Sequence, residues 1–227
     1  MKLGYYLSII LIFSAFIGRS QSTEGSIEYQ ITTKMLNSDL TIIQDVDLFP
    51  GSYLNIYFTK NKNRLELNLE KGFLITLIAD YSLNKGIRLF SSKETKLALE
   101  CSAGEAKLDQ KSKEGQKVIL KEETKEILGY TCKKAIILSD TSETVYWYTD
   151  KVKFDFSGVD LVTSKLPGFP MEFTTYSNGM LMTFSAINIT EFVKNQDEIF
   201  SIIPPEGYIV TDEETLKKGS KNNKDVR

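Results

Sequence analysis

Two cysteines, a scatter of carboxylates and a complete lack of histidine bound the chemistry open to this 227-residue chain. Without histidine the commonest general base, the commonest metal ligand and the usual partner of a serine or cysteine nucleophile are all missing, which removes most hydrolase and zinc mechanisms. Asp150, Asp155 and Asp160 lie near one another among aromatic residues, and two carboxylates are what acid/base cleavage of a glycosidic bond requires. Their even scatter through polar stretches reads as solvation, so no catalytic residue is assigned and the chain reads as non-enzymatic. Cys101 and Cys132 form an even pair, which favours a disulfide in an oxidising compartment. Such a bond would close a loop of about 32 residues and contribute roughly 3–4 kcal/mol in the chain-entropy model; two buried thiols pointing apart are the other arrangement the spacing allows. Lys133 and Lys134 beside Cys132 would lower a thiol pKa, yet a catalytic thiol lacks its histidine. No glycine-rich phosphate loop, Cys-x-x-Cys pair or acidic calcium loop is present, so neither a metal nor a cofactor is expected.

Residues 1–20 bear on where this chemistry takes place. Lys2 supplies a positive start, residues 5–17 are almost unbroken apolar, and Gly18 and Ser20 put small residues before a cleavage point after Ser20, the pattern of an export signal. The apolar run is short for a membrane span of about 20 residues, and no cysteine near the cleavage point would accept a lipid. An exported chain, periplasmic or secreted and soluble once cleaved, is expected. Removing the signal takes away two of the 28 basic residues and none of the 30 acidic ones, and the resulting acidic balance offers nucleic acid no attraction. Residues 21–219 are long enough for one domain with a continuous core, and residues 220–227 read as a disordered tail.

The elements that must position any site are strands. Residues 26–35 alternate cleanly, with Ile27, Tyr29, Ile31 and Thr33 on one face and Glu28, Gln30, Thr32 and Lys34 on the other, as a half-buried strand requires. Residues 53–59, 64–70, 73–79, 87–91 and 95–101 continue as an antiparallel meander punctuated by Lys71-Gly72 and Gly86. A second run occupies residues 116–127, 130–139, 144–149, 169–176, 179–192 and 199–203, with Asn178-Gly179 supplying the positive φ of a tight hairpin. Residues 36–51 read as loop or short helix. Residues 102–115 are charged and lack a core face, which suits either a solvated loop or a flap over a cavity. Thr211 and Glu214 form a capping box for a short helix that Gly219 would end.

Three blocks carry a resemblance: Ile127-Leu128-Gly129-Tyr130-Thr131-Cys132, then Tyr146-Trp147-Tyr148-Thr149, then Leu166-Pro167-Gly168-Phe169-Pro170, with Pro204-Pro205-Glu206-Gly207-Tyr208 closing. They resemble two related families of exported bacterial proteins, the GLPGLI family and a domain-of-unknown-function family near the lipoprotein carriers LolA and LolB. Lys165 stands where GLPGLI has its first glycine, and Phe169-Pro170 replace its leucine and isoleucine, so the second family fits better. That resemblance implies a mainly β fold with a few short helices: a strongly curved antiparallel sheet, a LolA-like half-open barrel with an apolar concave face. It brings no catalytic residue.

A single meandering sheet of about ten to twelve strands must curl or split, and a curled one either packs its own concave side chains or leaves room for a ligand. Trp147, Met171, Phe173, Met180, Met182 and Phe184 are the candidate apolar lining, methionine being adaptable to variable ligands. The expected function is to hold a lipid, a lipoprotein acyl chain or another apolar molecule. A protein-interaction or envelope-structural module with a filled core is the alternative.

Overall fold

The computed structural model describes residues 22–36, 42–44, 47–69, 72–106, 116–139, 142–152, 166–177 and 179–212. The expected signal at residues 1–20 and tail at 220–227 lie outside these, as do Asp155 and Asp160. The chain forms β1 (Gly25–Leu36), β2 (Ile42–Gln44), β3 (Tyr53–Phe58), β4 (Lys62–Leu69), β5 (Phe73–Asp80), β6 (Lys85–Ser91) and β7 (Lys96–Cys101). It continues through β8 (Lys117–Ile127), β9 (Tyr130–Ser139), β10 (Ser142–Thr149), β11 (Phe169–Ser177) and β12 (Met180–Thr190) to a single turn of helix, α1 (Gln196–Ile199), and β13 (Ile209–Thr211). The protein is mainly β, as expected.

All strands join one sheet in the order β13-β7-β6-β5-β4-β3-β1-β12-β11-β10-β9-β8, with β2 paired to β1. The expected single meander is therefore two, β3 to β7 and β8 to β12, sewn together along β1. Every pairing is antiparallel except β13 with β7. Ten strand spacings of about 4.8 Å would separate β7 from β8 by roughly 48 Å in a flat sheet. Residues 102–106 are spent in a turn closed by Glu105 N–H and Ala106 N–H on Ser102 O, and a fully extended link from there to β8 reaches only about 35 Å. The sheet must curve, and it does so without closing into a barrel.

Alternation decides which face each side chain joins. On the inner face Ile27, Tyr29 and Ile31 of β1, Leu54, Ile56 and Phe58 of β3, and Met171, Phe173, Phe184 and Ala186 from β11 and β12 merge into one core. From Thr76 onward β5 is buried on both faces, which suits a strand that is apolar but for Thr76 and Asp80: Leu77 joins the inner core, while Ile78 meets Ile87, Leu89 and Ala98 on the outer face beneath Ile202 and Tyr208. The segment after β12 thus lies over the outer face of β5 to β7. Residues 199–203, expected as a strand, instead end α1 and continue irregularly. Asn195 enters α1 with φ 51, and Pro204-Pro205 cannot donate to a ladder.

Two further expectations change. The stretch of residues 36–51, expected as loop or short helix, contains a strand, β2. The described start of the charged stretch, residues 102–106, does have a core face, because Ala103 and Ala106 bury against Ala79. Thr211 ends β13, and the helix expected from its capping box with Glu214 lies outside the described residues.

Asp80, at the end of β5, tests how the turn to β6 is held. Burial alone would raise its carboxyl pKa, but bonds from the Ser82 hydroxyl and Leu83 N–H together with the nearby Lys62 ammonium outweigh it and hold it below the usual range. A carboxylate with a depressed folded pKa contributes stability that is present above its unfolded pKa of about 3.9 and lost as pH falls through the folded value. Asp80→Asn is expected to cost about 1–2 kcal/mol at neutral pH, from weakened charge-assisted bonds. Urea midpoints at pH 7 and pH 3 check this, since the gap to wild type should narrow at the lower pH.

Candidate functional site

The apolar residues expected to line a concavity divide between the two faces. Met171 is fully buried on the inner face, where Phe173 stacks on Phe184 with ring centroids 4.5 Å apart and on Tyr146 at 5.8 Å. Tyr29 meets Phe173 edge-on at 5.7 Å, and its hydroxyl donates to Pro170 O at 2.8 Å. Burial, with Tyr146 adding to it, drives the Tyr29 phenol far above its ordinary pKa, so it is a permanent donor. Met182 packs against this core from β12, and Met180 pairs across β1 with the exposed Met35. Trp147 is on the other face, because Tyr146 and Tyr148 alternate with it into the core. Lys125 Nζ lies 4.7 Å and Lys134 Nζ 5.7 Å from its ring centroid, and Lys125 also pairs with Glu172 at 2.6 Å.

The disulfide expected between Cys101 and Cys132 is not formed. Cys101 ends β7 beside the Ala79, Ala103 and Ala106 cluster, whereas Cys132 sits on β9 in the main core, and eight strands separate β7 from β9. Cys132 Sγ donates to Tyr130 O at 3.3 Å. Burial first, and then Glu126, push its thiol up to about 11 despite Lys125, the reverse of activation by neighbouring lysines. Native Cys132 is expected to resist iodoacetamide at pH 8 for as long as the fold persists and to react at once in urea. Mass spectrometry of the alkylated chain reads this.

Sequence reasoning followed the inner face and passed over the outer one, where β1, β3 and β4 form a different surface. Because Leu54, Ile56 and Phe58 point inward, Tyr53, Asn55 and Tyr57 point outward from β3. Register places Ser26, Glu28 and Gln30 of β1 beside them. Arg64, Glu66 and Asn68 of β4 stand on the other side. No aliphatic side chain interrupts this three-by-three patch, and the outward residues of period two were the signal that could have found it.

One end of the patch deepens into a groove of about 420 Å³ between Ser26, Tyr57 and Thr190 on the sheet and Phe192, Lys194 and Glu198 on the overlying segment. Arg64 fixes that segment by donating from Nη1 to Ile199 O at 2.9 Å, while its Nε binds Glu66 Oε1 at 2.7 Å. Gln196 Nε2 donates to Glu24 Oε2 at 2.7 Å, a second tie between α1 and the start of β1. Burial, and then the Glu66 carboxylate, raise the Tyr57 phenol, so it stays protonated. Asn55 Oδ1, at the patch centre, is buried with no hydrogen-bond partner among the described residues. Phe192 is half exposed under Lys194, whose Nζ is 5.7 Å from its ring centroid. The arrangement offers aromatic faces beside hydroxyl, amide and carboxylate groups.

Asp150, the described member of the carboxylate trio, is exposed and pairs with Lys151 at 3.6 Å. Among the described residues no group of three or more potential ligands could hold a metal ion, and no helix is long and apolar enough to cross a membrane.

Comparison with known proteins gives one family. Residues 91–205 match the model of the N-glycanase peptide N-terminal domain, about half of the chain and the whole of β7 to α1. No curated protein matches. Similar solved structures include PNGF-II in its C2 crystal form, at 16% identity and a TM-score of 0.44 over 86% of this chain. LprF from Mycobacterium bovis is similar at 6% identity and a TM-score of 0.32, with 83% of this chain and 92% of that one covered. The chain spans about a third of the length of PNGF-II, 32%. The family match covers most of the stretch that suggested a GLPGLI-related family and replaces that relation. It also overturns the expectation of a protein with no enzymatic connection, since the matching model describes a domain of N-glycanases. The chain belongs to the N-glycanase peptide N-terminal domain family.

Proposed function

We propose that this exported chain works in N-glycan cleavage, as the glycosidase-related domain that grips the glycan-bearing polypeptide. The family match over residues 91–205 carries this reading. The outer groove is consistent with it, because sugar and peptide are both polar and the half-buried aromatic and amide groups of that face can meet both. A high-mannose glycoprotein, immobilised with and without prior glycan removal, tests it: the wild-type chain should be retained on the glycosylated form and washed from the stripped one. Equal retention on both would defeat the reading. Assay of the same mixtures for released glycan reads whether the chain also contributes to cleavage.

A second ligand class is favoured by one feature of the inner face. Met35 is 40% exposed, and Met180 and Met182 on the neighbouring strand are half-buried, so a methionine-lined margin borders the core and could admit an acyl chain. Stoichiometric lipid in an extract of the purified chain would support a lipid or lipoprotein ligand there, and a clean apo mass with no uptake of a fluorescent fatty acid would remove it.

A further inference from the structure

We propose that the outer face of β1, β3 and β4, with the groove beside Tyr57, is a binding site for a neutral oligosaccharide. This deepens the function proposed above and rests on it for the source of the sugar; the placement of the site rests on geometry. Tyr53 and Tyr57 leave the same face of one strand four residues apart, about 13 Å along it. That span exceeds a single sugar ring and suits a short chain of them. Each ring has a flat apolar face with a polar hydroxyl at its tip, matching the flat C–H face and hydroxyl rim of a pyranose. β3 is paired on both sides, so both rings stand on backbone fixed by two ladders, and ordering them on binding costs little.

Between the tyrosines, Asn55 is flanked by Glu28 on β1 and Glu66 on β4. A carboxylate accepts from several hydroxyls at once, and an amide both donates and accepts, the combination that vicinal hydroxyls and an acetamido group require. The buried Asn55 Oδ1 makes no hydrogen bond among the described residues, so turning the amide outward towards a sugar forfeits none of those at that oxygen. Arg64 is already committed to Glu66 and to Ile199 O, which fixes the Glu66 carboxylate beside the patch. Glu28, Glu66 and Glu198 outnumber Arg64 and Lys194 across patch and groove, so a sialylated or sulfated glycan meets repulsion and a neutral one does not.

Calorimetric titration of the full exported chain with chitotriose, a neutral high-mannose glycopeptide and a sialylated glycopeptide tests the placement. The neutral probes should bind, the sialylated one more weakly, and Tyr53→Ala and Tyr57→Ala should each weaken binding by about tenfold at unchanged melting temperature. Tyr176→Ala, which removes an exposed tyrosine from the distant β11–β12 hairpin, should bind as wild type. Full glycan-dependent retention by both patch variants, or preference for the sialylated probe, overturns the placement while leaving the N-glycan reading standing. No glycan-dependent binding by the wild type overturns both.

Discussion

Truncating Phe173 to alanine is expected to remove about 4 kcal/mol of stability, within the range for emptying a packed aromatic site. Phe173 is the hub of the inner face: it stacks on Phe184 with an interplanar angle of 9°, stacks on Tyr146 at 25°, and receives the edge of Tyr29. Its loss removes the transfer free energy of a buried ring and leaves three aromatic neighbours facing a void that β1, β10, β11 and β12, tied by ladders, cannot collapse to fill. Phe173→Leu keeps part of the volume and should cost about 1–2 kcal/mol. Urea denaturation checks both, with the midpoint moving and the slope unchanged. The same experiment bears on what the concave side holds. A loss under 1 kcal/mol would mean that Phe173 borders open space, as an apolar ligand site would require, whereas the full loss marks a face filled by the protein's own side chains. The outer patch faces the other way, so glycan binding by the refolded variant should match wild type.

The sequence carried the inner face well because alternation is a strong signal there: Ile27, Tyr29 and Ile31, or Leu54, Ile56 and Phe58, could belong only to one side of a strand. It carried strand order poorly. Local pairing signals such as Gly72 and Gly179 mark hairpins between neighbours in the chain, and nothing local states that β1 will pair with β12, 164 residues away between Ser26 and Thr190. The candidate site was missed for a related reason. Tyr53, Asn55 and Tyr57 looked like the ordinary polar side of a strand, and only the register that aligns them with Glu28 and Glu66 turns three rows into one surface. The second wall of the groove comes from residues after β12, most of which fell between two expected strands, and its position depends on Arg64 reaching Ile199 O across 135 residues. The disulfide failed similarly: an even cysteine count says nothing about two thiols that the topology puts eight strands apart.

Gly168→Ala is expected to be nearly as damaging as the loss of Phe173, for a reason of space alone. A Cβ at this position would lie 2.5 Å from the Thr149 carbonyl oxygen, 2.9 Å from its carbon and 2.9 Å from Tyr148 Cδ2. Two of those atoms are backbone at the end of β10, where Thr149 pairs with Phe169, and the third belongs to a ring in the main core. None of these atoms can swing away as the end of a flexible side chain would, so either the end of the β10–β11 ladder opens or Tyr148 leaves its rotamer. Overpacking of this kind costs about 3 kcal/mol, which for a chain of this size lowers the melting temperature by roughly 6–12 °C. Gly129→Ala separates space from dihedral strain: φ is +76° there but no atom lies within 4 Å of the new Cβ, so about 1 kcal/mol is expected. Thermal melts of the two variants should therefore differ by several degrees, and equal melts would refute the close approach. The Leu-Pro-Gly-Phe-Pro block thus has a physical reason for its glycine: it is the position where the chain entering β11 passes against the end of β10, and so sets where Met171 and Phe173 enter the core.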